Sequence, residues 1–203
     1  MREVLFRAKR TDNGRWIEGY YMYHLNRMPS PVGDGLKPGD EEHIILFDSS
    51  ADWNMPREIT YAHVDPGTIG QYTGMREFVM TDPSVRRMLF EGDIVEVWTN
   101  RRPCTEYGPT SQYDGKRKVR ATVVFKNGGW KLDYDNAYNH NMEKLHGKED
   151  LERTVKGAPD LFRYGCHDSA EREAWRREHN KNYIWDDIVC IGNIHDNPEL
   201  MEV

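Results

Sequence analysis

The chain contains few cysteines and no long apolar segment. Cys104, Cys166 and Cys190 are too few and too scattered for a disulfide framework, so we expect a reducing compartment. No apolar run approaches the roughly 20 residues that a membrane span needs, and the opening "MREVLFRAKR" has no apolar signal region. The sequence therefore predicts a cytoplasmic protein with no membrane partner and no export signal.

Sequence motifs for nucleotide, metal and catalytic sites are also missing. Neither G-x-x-x-x-G-K-[ST] nor G-x-G-x-x-G occurs. The cysteines and histidines show no C-x₂-C or H-x₃-H spacing, and the single adjacent pair is Cys166 with His167. We therefore expect no cofactor and no metal, assign no catalytic residue, and favour a non-enzymatic function.

Acidic residues outnumber basic ones, 34 to 28, which gives a formal net charge of −6 at pH 7. An acidic chain argues against nucleic-acid binding by the surface as a whole. Charged residues make up 31% of the chain, but it also contains 6 Trp, 11 Tyr and 6 Phe, each able to bury a large area. We expect a globular core with long polar segments outside it.

Most of the periodic segments alternate as β-strands do. The stretch "VLFRAKRTDNGRWIEGYYMY" predicts a hairpin turned at Asn13-Gly14, and "RATVVFKNGGWKLDY" predicts a second one turned at 127–129. Further strands are predicted for "HIILFD", "ITYAHV" and "YIWDDIVCIGNI", with loops rich in glycine and proline between the first of them. The predicted fold class is mainly β, an α+β protein with short helices and hairpin-based sheets.

The predicted helices are short. One turn begins at Thr81–Pro83, with a capping side chain and a proline, and ends at Gly92. A surface helix is predicted over 168–181, a shorter piece near 149–155, and a final helix start at Asn197-Pro198.

Two β-rich halves are predicted. Residues 1–89 form an N-terminal half, and residues 90–203 form a small SH3-like, barrel-type sheet that carries insertions at 99–118 and 136–182. The second insertion is polar and weakly patterned, so its part up to residue 168 is expected to be the least regular segment.

The stretch "EGDIVEV" places Glu91 and Asp93 around Gly92. As catalysts these carboxylates would need a shifted pKa, and hence burial. As turn residues they would point to water and accept backbone N–H bonds, while Gly92 adopts a positive φ and a strand begins. We favour the second interpretation. The pair His195-Asp196 in "GNIHDNPEL" is likewise interpreted as part of a turn before the helix start, because neighbours on a strand point to opposite faces.

Four stretches resemble the YopX-like family of bacteriophage and prophage proteins in order and spacing: "LFRAKRTDNGRWIEGYY", "VDPGTIGQYTG", "LFEGDIVEV" and "IGNIHDNPEL". The resemblance implies a small phage-encoded, β-rich protein of the host bacterial cytoplasm. It implies no enzymatic activity, and these motifs carry no functional residue over to this chain.

One loop has a distinct charge. Residues 101–120 contain six basic side chains and two acidic ones, Glu106 and Asp114, which gives this loop a net charge of +4. Basic side chains with interleaved aromatic rings can bind phosphates and stack on bases. The residues assigned to this nucleic-acid contact are Arg101, Arg102, Lys116, Arg117, Lys118 and Arg120, with Tyr107 and Tyr113.

Three functional hypotheses remain open at this point. The first is a non-enzymatic binding or accessory protein that acts on a host or phage protein, as a monomer or a homo-oligomer. The second is a nucleic-acid-binding accessory protein that uses the basic loop. The third is a hydrolase in which Glu91 or Asp93 is buried.

Overall fold

The structure is a computed structural model of the 203-residue chain. It describes residues 4–27, 35–37, 39–48, 58–77, 87–99, 117–133, 137–139, 142–146 and 186–202. Strands dominate these ranges, and their helical content is limited to 3₁₀ turns at Pro66–Thr68 and Pro198–Met201. The predicted mainly β class is therefore confirmed.

The strands form two antiparallel sheets. In chain order they are β1 (Phe6–Lys9), β2 (Trp16–Leu25), β3 (Glu41–Asp48), β4 (Ile59–His63), β5 (Gly70–Arg76), β6 (Met88–Phe90), β7 (Asp93–Thr99), β8 (Arg117–Lys126), β9 (Gly129–Leu132), β10 (Tyr138–Asn139) and β11 (Asp186–Asn193).

The chain divides into two compact units, residues 1–72 and 73–203, so the boundary falls inside β5. The sequence-based division lies later, at 89/90. Residues between these two positions share the core of the second unit: the Thr73 hydroxyl donates to the Leu89 carbonyl at 2.8 Å, and Met75 and Leu89 are fully buried in that core.

The first sheet has six strands in the order β4-β3-β2-β1-β5-β6. The first unit contains β1 to β4 and the start of β5. The β1–β2 hairpin turns at Asn13-Gly14 as predicted, with Gly14 at a φ of +68° and the Asn13 side chain accepting the Arg15 N–H at 2.9 Å. Alternate side chains point inward from successive strands. They form a small core of Ala8, Ile45 and Val64, packed against Phe6, Ile17 and Ile69.

The second unit contains a five-stranded sheet in the order β10-β8-β7-β11, with β9 paired to the far end of β8. Here the predicted SH3-like barrel needs correction, because within the described ranges this sheet does not close on itself. The long strand β8 pairs with β7 and β10 along its first part and with β9 along its last four residues, from Val123 to Lys126. Both β10 and β11 remain edge strands, so the sheet is open.

The core of the second unit is larger and apolar. It combines residues of β5 to β9 with β11: Met75, Leu89, Val95, Val97, Val119, Ala121, Val123, Trp130, Leu132, Ile188 and Cys190. The start of the predicted insertion 136–182 also joins it, since Ala137 and Leu145 belong to the same cluster. The rest of that insertion beyond residue 146, and most of 99–118, lie outside the described residues.

Of the four predicted helical segments, one is contradicted, one is confirmed, and two lie outside the described residues. Met88–Phe90 form strand β6 with Leu89 and Phe90 fully buried, so a helical turn reaching Gly92 is wrong. Burial of both apolar side chains outweighs the local signal of a cap followed by a proline. The predicted start at Asn197-Pro198 is confirmed as a 3₁₀ turn. The helices expected at 149–155 and 168–181 lie outside the described residues.

Replacing Gly92 with valine is expected to destabilise the protein. Gly92 has a φ of +82°, and a Cβ there would meet only ordinary contacts of 3.4–3.5 Å with Asn193 and Ile194. The loss of stability therefore comes from holding a β-branched residue at a positive φ. In urea denaturation, Gly92→Val should lower the free energy of unfolding by about 1–3 kcal/mol. Gly129→Val is the matched control, because Gly129 lies in strand β9 with open space around it. Equal stability of the two variants would refute this assignment.

Candidate functional site

Of the carboxylates in "EGDIVEV", that of Asp93 lies at the start of β7. Asp93 has no exposed surface; its Oδ2 accepts the Phe90 N–H at 2.8 Å and its Oδ1 accepts the Asn193 amide at 3.1 Å. The expectation that Asp93 points to water is therefore wrong, whereas the expected acceptance of a backbone N–H bond is confirmed. Each carboxylate oxygen holds another part of the chain, which compensates for the burial of the group.

The turn after β11 is organised by Asn193. Its side-chain oxygen accepts the His195 N–H at 3.0 Å, and its carbonyl accepts the N–H groups of Asp196 and Asn197 at 3.1 and 2.8 Å. The His195 and Asp196 side chains are exposed, and these hydrogen bonds confirm the turn interpretation of this pair. The Ile194 N–H donates to the Gly92 carbonyl at 3.0 Å, so this turn also contacts the β6–β7 corner.

The four stretches that resemble the YopX-like family meet in pairs, one pair in each unit. In the second unit, residues 89–97 contact residues 191–200 through Asp93 and Asn193. In the first unit, residues 5–21 contact residues 64–74: the Lys9 N–H donates to the Thr68 hydroxyl at 2.9 Å, and β1 pairs with β5. Each pair therefore has a structural role in bringing distant segments together.

The thiol of Cys190 lies beside this junction in the second unit. Its backbone N–H donates to Oε1 of the buried Glu77 at 2.7 Å, and its Sγ donates to the Gly192 carbonyl at 3.3 Å. Burial, assisted by the nearby Asp93 carboxylate, raises the pKa of the Cys190 thiol to about 11. The thiol is therefore protonated at neutral pH and unsuited to act as a nucleophile.

Among the residues assigned to the nucleic-acid contact, Arg120 is the one whose side chain the structure describes. Its Nε and Nη2 donate to Oε1 of Glu96 at 3.3 and 2.9 Å, and its Nη1 donates to the Leu200 carbonyl at 3.1 Å. The Tyr138 hydroxyl donates to the next carbonyl, that of Met201, at 2.8 Å. Arg120 therefore connects the 3₁₀ turn at Pro198–Met201 to the sheet, and its guanidinium is hydrogen-bonded within the protein.

The other residues assigned to the nucleic-acid contact cannot be placed in a site. The backbones of Arg117 and Lys118 begin β8, opposite Thr99 and Trp98 of β7. The remaining five lie outside the described residues: Arg101, Arg102, Lys116, Tyr107 and Tyr113. The hypothesis of a basic nucleic-acid loop therefore stays a prediction.

The outer face of the first unit's sheet carries an apolar surface that the sequence analysis missed. Cross-strand register places Tyr20, Leu46 and Tyr61 in one row over β2, β3 and β4, with Ile44 between Met22 and His63 in the next row. Ile59 begins β4 on the same face, opposite Asp48. We call this surface the outer patch; it consists of Tyr20, Met22, Ile44, Leu46, Ile59 and Tyr61.

Several side chains of the outer patch are well exposed. Tyr20 and Tyr61 are each 58% exposed, Ile59 is 76% exposed and Met22 is 40% exposed. Taking roughly 200 Å² for a fully exposed side chain of this size, these four present on the order of 450 Å². That area lies in the range of the largest apolar patches on monomeric proteins, which are often functional. The signal in β2 alone is weak, because Tyr23 on the other face of the strand is also exposed, at 46%.

A shallow pocket of about 350 Å³ lies next to the outer patch in the first unit and is lined in part by Glu41, Glu42, His43 and His63. The Tyr23 hydroxyl donates to Glu41 at 2.6 Å, and the Tyr21 hydroxyl is hydrogen-bonded to Nδ1 of His43 at 2.7 Å. Burial raises the pKa of Tyr21, so this phenol stays protonated at neutral pH. These side chains connect β2 to β3, and their polar groups act within the sheet.

Among the residues that the structure describes, no three His, Cys, Asp or Glu side chains come together in a way that could hold a metal ion. In the same part of the chain, no helix is long and apolar enough to cross a membrane. Comparison with family models, with curated proteins and with solved structures gives no match to this chain.

Removing the Asp93 carboxylate should strongly destabilise the fold. In Asp93→Ala the buried Phe90 N–H and Asn193 amide lose their acceptor, and the free energy of unfolding should fall by about 3 kcal/mol. Urea denaturation followed by tryptophan fluorescence measures this loss. Glu91→Ala is the control, since the half-buried Glu91 occupies the same turn and its removal should change stability by less than about 0.5 kcal/mol. An Asp93→Ala protein as stable as the unaltered chain would contradict the structural role.

The Cys190 thiol should resist alkylation in the folded protein. In a Cys104→Ser/Cys166→Ser variant at about pH 8, iodoacetamide should react at least about 100-fold more slowly than in concentrated urea, because a thiol with a pKa of about 11 is almost fully protonated. The rate in the native state should rise about tenfold per pH unit as the pH approaches that pKa. Mass spectrometry gives both rates, and a native rate within tenfold of the unfolded one would show that the thiol is accessible and ionised.

Proposed function

We propose that this chain is a non-enzymatic binding protein that uses the outer patch to hold a protein partner. The observation that carries the proposal is the exposure of Tyr20, Tyr61, Met22 and Ile59 on one continuous sheet face. Tyrosine and methionine are enriched at protein interfaces, and tyrosine is among the residues that contribute most binding energy there. The strands beneath them hold the backbone in place, so binding there requires ordering of side chains only.

We further propose that the protein is a phage or prophage accessory protein of the YopX-like family, acting in the host bacterial cytoplasm. Support comes from the four sequence stretches that resemble this family and from their pairwise contacts. If each pair builds one unit, then the order and spacing of the stretches reflect the requirements of folding. Proteins that share them would then share the two sheets and differ in the surfaces that bind partners.

The binding function can be tested with a surface variant in a pulldown from the producing bacterium. Tyr20→Ser and Tyr61→Ser together should remove the partner, because both rings lie at the centre of the patch. Phe125→Ser is the matched control, since Phe125 is 53% exposed but lies in the second unit. We expect a protein that the unaltered chain and the control retain and that the double variant does not. Mass spectrometry quantifies its recovery.

The double variant must also remain folded for this test to count. Its melting temperature should stay within about 4 °C of the unaltered chain, because solvent-exposed side chains contribute little to stability. Equal recovery of every protein by all three forms would overturn the assignment of the outer patch as the binding surface.

A further inference from the structure

We infer that the outer patch receives a basic amphipathic helix of a partner protein. This inference rests on the proposed binding function and specifies the chemistry of the partner. It follows from two properties of the described surface: the sign of the charges around the patch, and the dimensions of the patch.

Carboxylates border the patch at both ends. Glu18 precedes Tyr20 on β2 and lies on the same face, and Asp48 lies opposite Ile59. At the other end Glu42 lies opposite His24, and its carboxylate contacts His24 Nδ1 at 3.5 Å. Hydrogen bonding by the Asn26 side chain lowers the pKa of Glu42, which keeps this carboxylate ionised. The patch therefore has an acidic rim, which we define as Glu18, Glu42 and Asp48.

The arginine and lysine of this face lie on β1, where Arg7 is directly opposite Glu18, and His24 and His63 also lie on this face. Arg7 and Lys9 both lie over the Trp16 ring, with Arg7 Cζ at 4.7 Å and Lys9 Nζ at 5.5 Å from its centroid. Arg7 is also largely buried, at 5% exposure. These two charges lie at the β1 side of the sheet, next to Glu18, while Glu42 and Asp48 border the exposed apolar side chains at the two ends of the patch. A partner with lysine or arginine beside an apolar stripe is complementary to this arrangement.

The dimensions of the patch match one helix. Neighbouring strands are about 4.8 Å apart, so β2, β3 and β4 together span about 10 Å, close to the diameter of an α-helix with its side chains. From Glu18 to His24 along β2 the chain advances about 20 Å, the length of about 13 helical residues. One amphipathic helix of three to four turns would therefore cover the apolar rows and place basic side chains beside the rim.

Other occupants fit the charges less well. Single-stranded nucleic acid would bring phosphates against the three carboxylates, which repel them. A second copy of the chain would bring a second acidic rim to the same surface, in a protein whose net charge is −6. Binding of either occupant to the patch would contradict the inference.

The probe is a fluorescein-labelled 14-residue helical peptide with leucine on one face and lysine on the other. Fluorescence anisotropy with the full chain should show a Kd on the order of 10 µM at about 50 mM salt, weakening about tenfold at about 300 mM salt as screening increases. The same peptide with glutamate in place of lysine should bind at least about tenfold more weakly. A fluorescein-labelled oligothymidylate should not bind.

Charge variants separate the acidic rim from the general acidity of the protein. Glu18→Gln, Glu42→Gln and Asp48→Asn together should weaken peptide binding at least about tenfold and flatten its salt dependence. Glu143→Gln, Glu199→Gln and Glu202→Gln remove the same charge from exposed positions of the second unit and should leave the affinity within about twofold. The Tyr20→Ser/Tyr61→Ser variant should lose binding, and Phe125→Ser should keep it.

Three results would overturn the inference. These are equal binding of the lysine and glutamate peptides, equal weakening by the two charge variants, and self-association in sedimentation that is lost with Tyr20 and Tyr61. If the peptide fails to bind but the pulldown still recovers a partner through the outer patch, this inference is refuted. The proposed binding function then holds for a partner of different chemistry. Loss of both signals would refute the proposed function as well.

Discussion

The second unit depends on one buried carboxylate. Asp93 is removed from solvent at the corner between β6 and β7, and it holds a backbone N–H from one side and the Asn193 amide from the other. Register between β7 and β11 follows from this contact, because Asn193 lies directly opposite Asp93. Gly192 lies close to Asn197 and Leu200, where a Cβ would come within 2.7 and 2.8 Å of their side-chain atoms, so the absence of a side chain lets the chain turn tightly back toward the sheet. A carboxylate is suited to this role, since its two oxygens accept hydrogen bonds from two directions at once.

The same arrangement gives the sequence motifs a structural role. In each unit, two segments far apart in the chain contact each other through side chains that only a few residue types can supply: a threonine hydroxyl beside β1, and a carboxylate with an amide beside β7. Surface residues such as Tyr20 and Tyr61 are under no such geometric requirement. The exposed face of the sheet is therefore free to vary, whereas its inner face and corners are determined by packing.

Local features of the fold were predictable from the sequence, and features that depend on distant contacts were not. The turn at Asn13-Gly14 and the positive φ of Gly92 follow from the chemistry of a few neighbouring residues. The burial of Asp93 depends on Asn193, 100 positions away, and β6 depends on the core it enters, so local patterns at Thr81–Pro83 suggested a helix instead. The outer patch likewise requires three strands in register, since no single strand contains enough exposed apolar side chains to indicate it.

The pairing of β11 with β7 also determines how the second unit folds. Their contact closes a loop of 100 residues, and loop-closure entropy grows only with the logarithm of loop length, so each doubling costs about 0.6 kcal/mol. Segments of very different length can therefore be accommodated between the two strands at little thermodynamic cost. The kinetic cost is larger, because such long-range contacts raise the contact order and slow folding. During synthesis β7 and β8 leave the ribosome before β11, so the hydrogen bond between Asp93 and Asn193 can form only after β11 has been made.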